Sequence, residues 1–193
     1  MKVLDAAIAK HGSNPTFPQL VLARIDALYE LPDRRVETVP LYAEFSQKYP
    51  QDELAAQAQY LSALTALEFD KHATAKVNCD AFALRFPNDP LLPDVLFIGA
   101  EARLLLGEFV ESERLYRDFL TRVPGHPNAA QARVRLGLAL QLDGRNKDAL
   151  AELEATLSSL SGGILSLVAF SASGRTPSRR QCGRDSKSFC VCC

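Results

Sequence analysis

Cysteine, histidine, long apolar runs and charge of one sign are all scarce in the body of this chain. Before residue 161 Cys79 stands alone, while Cys182, Cys190, Cys192 and Cys193 crowd the end. A body with one cysteine has no disulfide framework, which suits a reducing compartment. The 3 histidines, His11, His72 and His126, each fall at an expected helix end or joint. None has the Cys, Asp or Glu spacing of a metal or catalytic site. A glycine-rich phosphate loop, a Gly-x-Ser-x-Gly elbow and a His-Glu-x-x-His pair are missing as well. The expectation is therefore no enzyme, no cofactor and no metal. A formal charge of −1 gives no bias toward nucleic acid or an anionic membrane. No apolar run approaches the ~18–20 residues of a membrane span. The longest in the tail, Ile164 to Phe170, is interrupted by Ser166. The opening residues place Asp5 inside a short apolar run, unlike a secretory signal. Cytoplasm is then the default compartment, and periplasm or envelope the expectation if the N-terminus is truncated.

What is present is a repeat. Pro50, Pro87 and Pro124 are 37 residues apart, and Phe45, Phe82 and Phe119 stand five places before them. A fixed period between about 20 and 50 residues marks a solenoid. The apolar fraction, 47%, suffices for a continuous core. Charge separates the body from the tail. Residues 1–161 hold 17 Lys and Arg against 22 Asp and Glu, and residues 162–193 hold 5 against 1.

Helical spacing predicts the elements in order. Leu4, Ala7, Ile8 and His11 give a short helix over 2–11, the second half of a unit whose first helix is absent. Such a start implies a missing cap or a truncation. The first full pair is a helix over 18–31 and a return over 38–48, with Leu41, Tyr42 and Phe45 inward and Pro40 in its first turn. In the second pair Asp52 caps a helix running to Phe69, Asp70-Lys71 turns, and Ala73 to Phe86 returns with Ala75, Cys79 and Phe82 inward. Asn88-Asp89-Pro90 starts the third, Val95 to Leu106, which turns at Gly107 and returns over Phe109 to Val123. His126-Pro127-Asn128 opens the fourth, with Val134, Leu138 and Leu142 outgoing, Asp143-Gly144 turning, and Ala149, Leu150, Leu153 and Leu157 returning. Ser161-Gly162-Gly163 then replaces the proline that is due, and the period stops.

These positions resemble the tetratricopeptide repeat. That family places a small residue in its first helix, here Ala63, Ala100 and Gly137. It places glycine at the turn, here Gly107 and Gly144 but Asp70 in the second unit. In its second helix it has a small residue, here Ala75, Ser112 and Ala149, and four places later an aromatic, here Tyr42 and Tyr116 with Cys79 and Leu153 departing. Proline closes each unit. The usual period is about 34, and the extra residues here follow the closing proline, as in the bacterial envelope branch of the family. The resemblance implies an all-α fold, a right-handed superhelical solenoid of antiparallel helix pairs with a concave groove lined by the first helices. It divides the chain into a partial leading repeat over 1–13, four repeats over about 14–50, 51–87, 88–124 and 125–160, and a tail.

Carboxylate-clamp members of the family grip a peptide terminus with Lys and Asn on the groove. The matching positions here are Tyr60 and Leu64, Phe97 and Glu101, and Val134 and Leu138. None is Lys or Asn, so a clamp is not expected. An apolar docking strip for a peptide or partner helix at Tyr60, Leu64, Phe97 and Val134, with Glu101 and Leu138 in the same partner-binding groove, is the alternative, against packing between helices. The tail, 161–193, is rich in Ser, Arg and Cys and reads as disordered. A frame slip or a truncation would also produce so abrupt a switch. Prenylation, metal ligation and disulfides at Cys190-Val191-Cys192-Cys193 each fit less well. The expected function is a non-enzymatic protein-interaction scaffold with a protein or peptide partner and no nucleic acid. The alternatives are a structural component of a bacterial envelope or outer-membrane assembly complex, and an accessory domain of a larger protein. Solenoid ends without polar caps favour self-association.

Overall fold

The computed structural model describes residues 17–158, together with Ala6. The chain divides into two units after Glu154. The expected helix over 2–11 and the tail over 161–193 lie outside the described residues. Helix follows helix in antiparallel pairs. α1 is Phe17–Tyr29, followed by a 3-10 helix, Pro32–Glu37, and α2, Thr38–Lys48. Then come α3, Ala55–Glu68, and α4, His72–Arg85. α5 is Leu92–Leu105 and α6 is Phe109–Arg122. α7 is Ala129–Leu142, and residues 146–154 are helical again. No strand occurs among the described residues. In the second unit residues 155–158 are helical.

The 37-residue period is visible in the backbone. The tight turns place Asp70, Gly107 and Gly144 in the left-handed region, at φ 56°, 79° and 81°. Behind each, the next amide reaches back five residues: Lys71 N–H to Ala66 O at 2.8 Å, Glu108 to Arg103 at 2.9 Å, Arg145 to Leu140 at 2.9 Å. That bond satisfies a carbonyl the helix end leaves open. Glycine adopts this φ freely; an L-residue there costs about 1–2 kcal/mol. The first pair departs. Its turn is the 3-10 helix, and Arg35 Nε donates to Tyr29 O at 3.0 Å while its guanidinium lies over the Tyr29 ring.

The joints between pairs also repeat, and they shift the expected helix starts. Leu54 N–H donates to Asp52 Oδ1 at 2.9 Å, and Leu91 N–H to Asp89 Oδ1 at 2.8 Å. At the third joint Asn128 N–H donates to His126 Nδ1 at 3.2 Å, so a histidine does the work of the aspartate. Each side chain thus caps a short turn, and the α-helix begins only at Ala55, Leu92 and Ala129. These turns take up the residues beyond a shorter period.

Packing follows the same register. Phe45, Phe82 and Phe119 are buried, as are Tyr42 and Tyr116. Ala63 and Ala100 are fully enclosed. At Gly137 a Cβ would come within 2.8 Å of Leu153. Small residues there let paired helices approach closely, and the large rings fill the space between. One core cluster runs from Ala56 through Phe82, Val95, Tyr116 and Phe119 to Leu140 and Ala149. A second, with Leu22, Ile25, Tyr42 and Phe45, serves the first pair. α3 touches α5 and α5 touches α7, which places the first helices of the second, third and fourth pairs side by side. The architecture is a helical solenoid in which no pair buries its apolar face alone.

Candidate functional site

The six residues singled out from sequence lie on three helices, Tyr60 and Leu64 on α3, Phe97 and Glu101 on α5, and Val134 and Leu138 on α7. Val134 is 51% exposed, the most open of them. Tyr60, Leu64, Phe97 and Leu138 are half-buried. Tyr60, Leu64 and Phe97 also pack against the main core. Phe97 sits edge-on to Tyr116, with ring centroids 6.0 Å apart, and tilted on Phe119 at 5.6 Å. These side chains therefore pack against the core and keep part of their surface accessible.

Glu101 is buried and already satisfied. Tyr116 Oη donates to its Oε1 at 2.7 Å, and Arg135 Nε approaches the same oxygen at 3.0 Å. The carboxylate ties α5 to α6 and α7. Burial, with the Glu101 charge beside it, drives the Tyr116 phenol far above its usual range. Burial likewise raises Tyr60, with Asp94 and Glu68 adding to the effect. Both phenols stay neutral donors at ordinary pH. Tyr42 shows the same arrangement in the first pair, donating to Asp26 Oδ1 at 2.8 Å.

Two of the histidines fall among the described residues, His72 and His126. His126 Nδ1 accepts from the joint backbone, and Nε2 faces Asp94 Oδ1 at 3.3 Å. Its ring stands edge-on to Phe119. His72 Nε2 lies 3.9 Å from Asp70. His11 lies outside the described residues. No group of three or more His, Cys, Asp or Glu that could hold a metal occurs among the described residues. Burial pushes the Cys79 thiol up to about 12, which suppresses the thiolate a nucleophile needs.

Sequence reasoning missed two buried polar features. Arg103, in the last turn of α5, is buried and donates through Nη2 to both Asp80 oxygens at 2.7 and 2.9 Å. Its Nη1 donates to Gly99 O at 3.3 Å. Asn78 Nδ2 donates to Ser62 Oγ, and Ser62 donates to Val39 O, both at 2.7 Å. Both link neighbouring pairs. The only sequence signal was an Arg at a helix end and polar residues on otherwise apolar faces.

No helix among the described residues is long and apolar enough to cross a membrane. No family model matches the sequence, and no curated protein sequence matches it. Among solved structures, a crystal structure of MamA protein superposes with a TM-score of 0.59 at 16% identity, covering 81% of this chain and 82% of that one. A second MamA structure, AMB-1 in a P212121 form, gives 0.55 at 18% identity, covering 82% and 97%. At such identities the likeness is one of fold alone. The fold of this chain is a tetratricopeptide-like solenoid of helix pairs, similar to that of MamA.

Proposed function

We propose that this chain is a non-enzymatic protein-interaction scaffold, and that a peptide or partner helix lies along the face of α3, α5 and α7. The observation that carries this reading is the open apolar side of that face, with Val134 51% exposed beside half-buried Phe97, Leu138, Leu64 and Tyr60. Apolar positions on successive helices suit the apolar stripe of an amphipathic helix. Glu101 does not compete for such a partner, because Tyr116 and Arg135 occupy it. The face thus offers contact area and shape rather than charge, as interface centres do.

A photo-crosslinking residue placed at Val134 tests this. The control site is Leu84 on α4, which is 83% exposed. A defined partner captured from lysate at position 134 and not at 84 supports the reading. Capture at 84 alone, or the same bands at both sites, refutes it.

A further inference from the structure

Among the described residues, two of the three joints between helix pairs are closed by ion pairs. Between the second and third pairs, Lys76 of α4 bridges to Glu108, just before α6. Arg103 of α5 reaches Asp80 at the same joint. One period further on, the residues equivalent to Lys76 and Glu108 are Glu113 and Arg145, and they pair at 2.6 Å with the signs exchanged. One period back, the same positions hold Val39 and Lys71, and those of Asp80 and Arg103 hold Ala43 and Ala66. Neither bridge can form there. A cavity of about 440 Å³ opens instead between α2 and α4.

Val36, Val39, Pro40 and Ala43 give this cavity an apolar wall, and Lys71 lines it. Among the described residues Lys71 makes no ion pair, whereas its counterparts Glu108 and Arg145 are both bridged. Glu44 lines the cavity too. Its counterparts, Ala81 and Asp118, do not bridge a joint: Asp118 pairs with Arg122 inside its own helix at 2.7 Å. The unfilled half of the repeating arrangement is therefore a carboxylate opposite Lys71, with an apolar side chain beside it.

We propose that this first joint is a second binding site, separate from the α3, α5 and α7 face, and that it takes a segment of a partner protein in which an apolar side chain stands next to Asp or Glu. The apolar group fills the cavity along Val39 and Ala43, and the carboxylate supplies the bridge to Lys71 that the chain supplies for itself at the next two joints. A scaffold with both sites holds two partners at once.

The test uses capped dipeptides as probes against the isotope-labelled full chain, read by amide chemical shifts at Ala43, Lys71 and Thr74. Acetyl-Phe-Glu-amide is compared with the Phe-Gln and Phe-Lys forms at up to ~10 mM, which reaches millimolar dissociation constants. The Glu probe should shift these amides and saturate. The Gln probe should bind about two- to fivefold more weakly, the factor an exposed ion pair supplies, and Lys71→Glu should weaken the Glu probe by at least as much. Lys71 is exposed, so this variant should fold; Lys71→Gln gives the same comparison if it does not. The proposal fails if no probe shifts these amides, if the Glu and Gln probes bind equally, if the Lys probe binds best through Glu44, or if the Lys71 variants bind as the parent does.

Discussion

Asp70 offers a direct measure of what the turn geometry costs. It is a left-handed L-residue, at φ 56°, where the next two units have Gly107 and Gly144. An L-residue in that region costs about 1–2 kcal/mol, and Asp lies at the low end because its short polar side chain tolerates it. Glycine regains that energy but gives back about 0.4–1 kcal/mol through the freer unfolded chain. Asp70→Gly should therefore stabilise by about 0.5 kcal/mol. Gly107→Ala meets the same strain from the other side. It should cost about 1 kcal/mol net of the stiffer unfolded chain, with no crowding to add, since the atom nearest the new methyl, on the Phe109 ring, is 3.9 Å away. For a chain of this size roughly 2–4 °C of melting temperature accompany each kcal/mol. Thermal unfolding by circular dichroism should show a rise of about 1–2 °C for Asp70→Gly and a fall of about 2–4 °C for Gly107→Ala. Asp70→Asn keeps the left-handed tolerance without the charge and should match the parent. A lower melting temperature for Asp70→Gly, or no change for Gly107→Ala, would refute the assignment of strain to this φ.

Three further expectations follow from the packing and the charges. Phe82→Ala empties a site that is fully buried between the second and third pairs and should cost about 3–5 kcal/mol in urea unfolding; a loss under 1 kcal/mol would mean the joint collapses to refill it. Lys76→Glu and Glu108→Arg should each destabilise by about 0.5 kcal/mol, and the double exchange should recover most of the loss, since Glu113 and Arg145 already pair in that sense; additive losses in a double-mutant cycle would count against the bridge. Burial raises Cys79 to about 12 when folded, against about 8.5 in an unfolded chain. Its contribution is then full below about pH 8.5 and is lost as pH climbs toward 12, at up to about 1.4 kcal/mol per unit. Urea midpoints at about pH 8 and pH 10 should fall further for the parent than for Cys79→Ala, and equal falls would overturn the shift.

The period made most of the fold readable. Pro50, Pro87 and Pro124 marked the joints, and Gly107 and Gly144 marked two turns at the correct residues. Asp70 was placed at the third turn, but nothing in the sequence said that it would adopt a glycine's φ. Helix starts were legible only to within a turn: a helix capped at Asp52 begins instead at Ala55, and one expected from Val95 begins at Leu92. Asp52 and Asp89 do cap, but the element they cap is a short turn that ends before Ala55 and Leu92. The 3-10 helix of the first pair was unreadable because it depends on Arg35 reaching back to Tyr29, a contact no local pattern encodes. The candidate face was half legible. The family resemblance, aligned on the closing prolines, put Tyr60, Phe97, Val134 and Glu101 on corresponding helices, yet the fate of Glu101 rests on Tyr116 and Arg135, which belong to other helices. Periodicity reports which face a residue occupies, and only packing decides whether its charge is spent.

The exchange of sign from joint to joint also dictates the order of the units. Lys76 meets Glu108 at one joint, and Glu113 meets Arg145 at the next. If the third unit were skipped, or exchanged for that of another molecule in the wrong frame, Lys76 would face Arg145. If the second were skipped, Val39 would face Glu108 in an apolar wall. Near-identical backbones invite such slips, and like charges or an unpaired carboxylate penalise them. The bridges are weak as fasteners, but as an address code they favour the proper neighbour at the two joints that carry them.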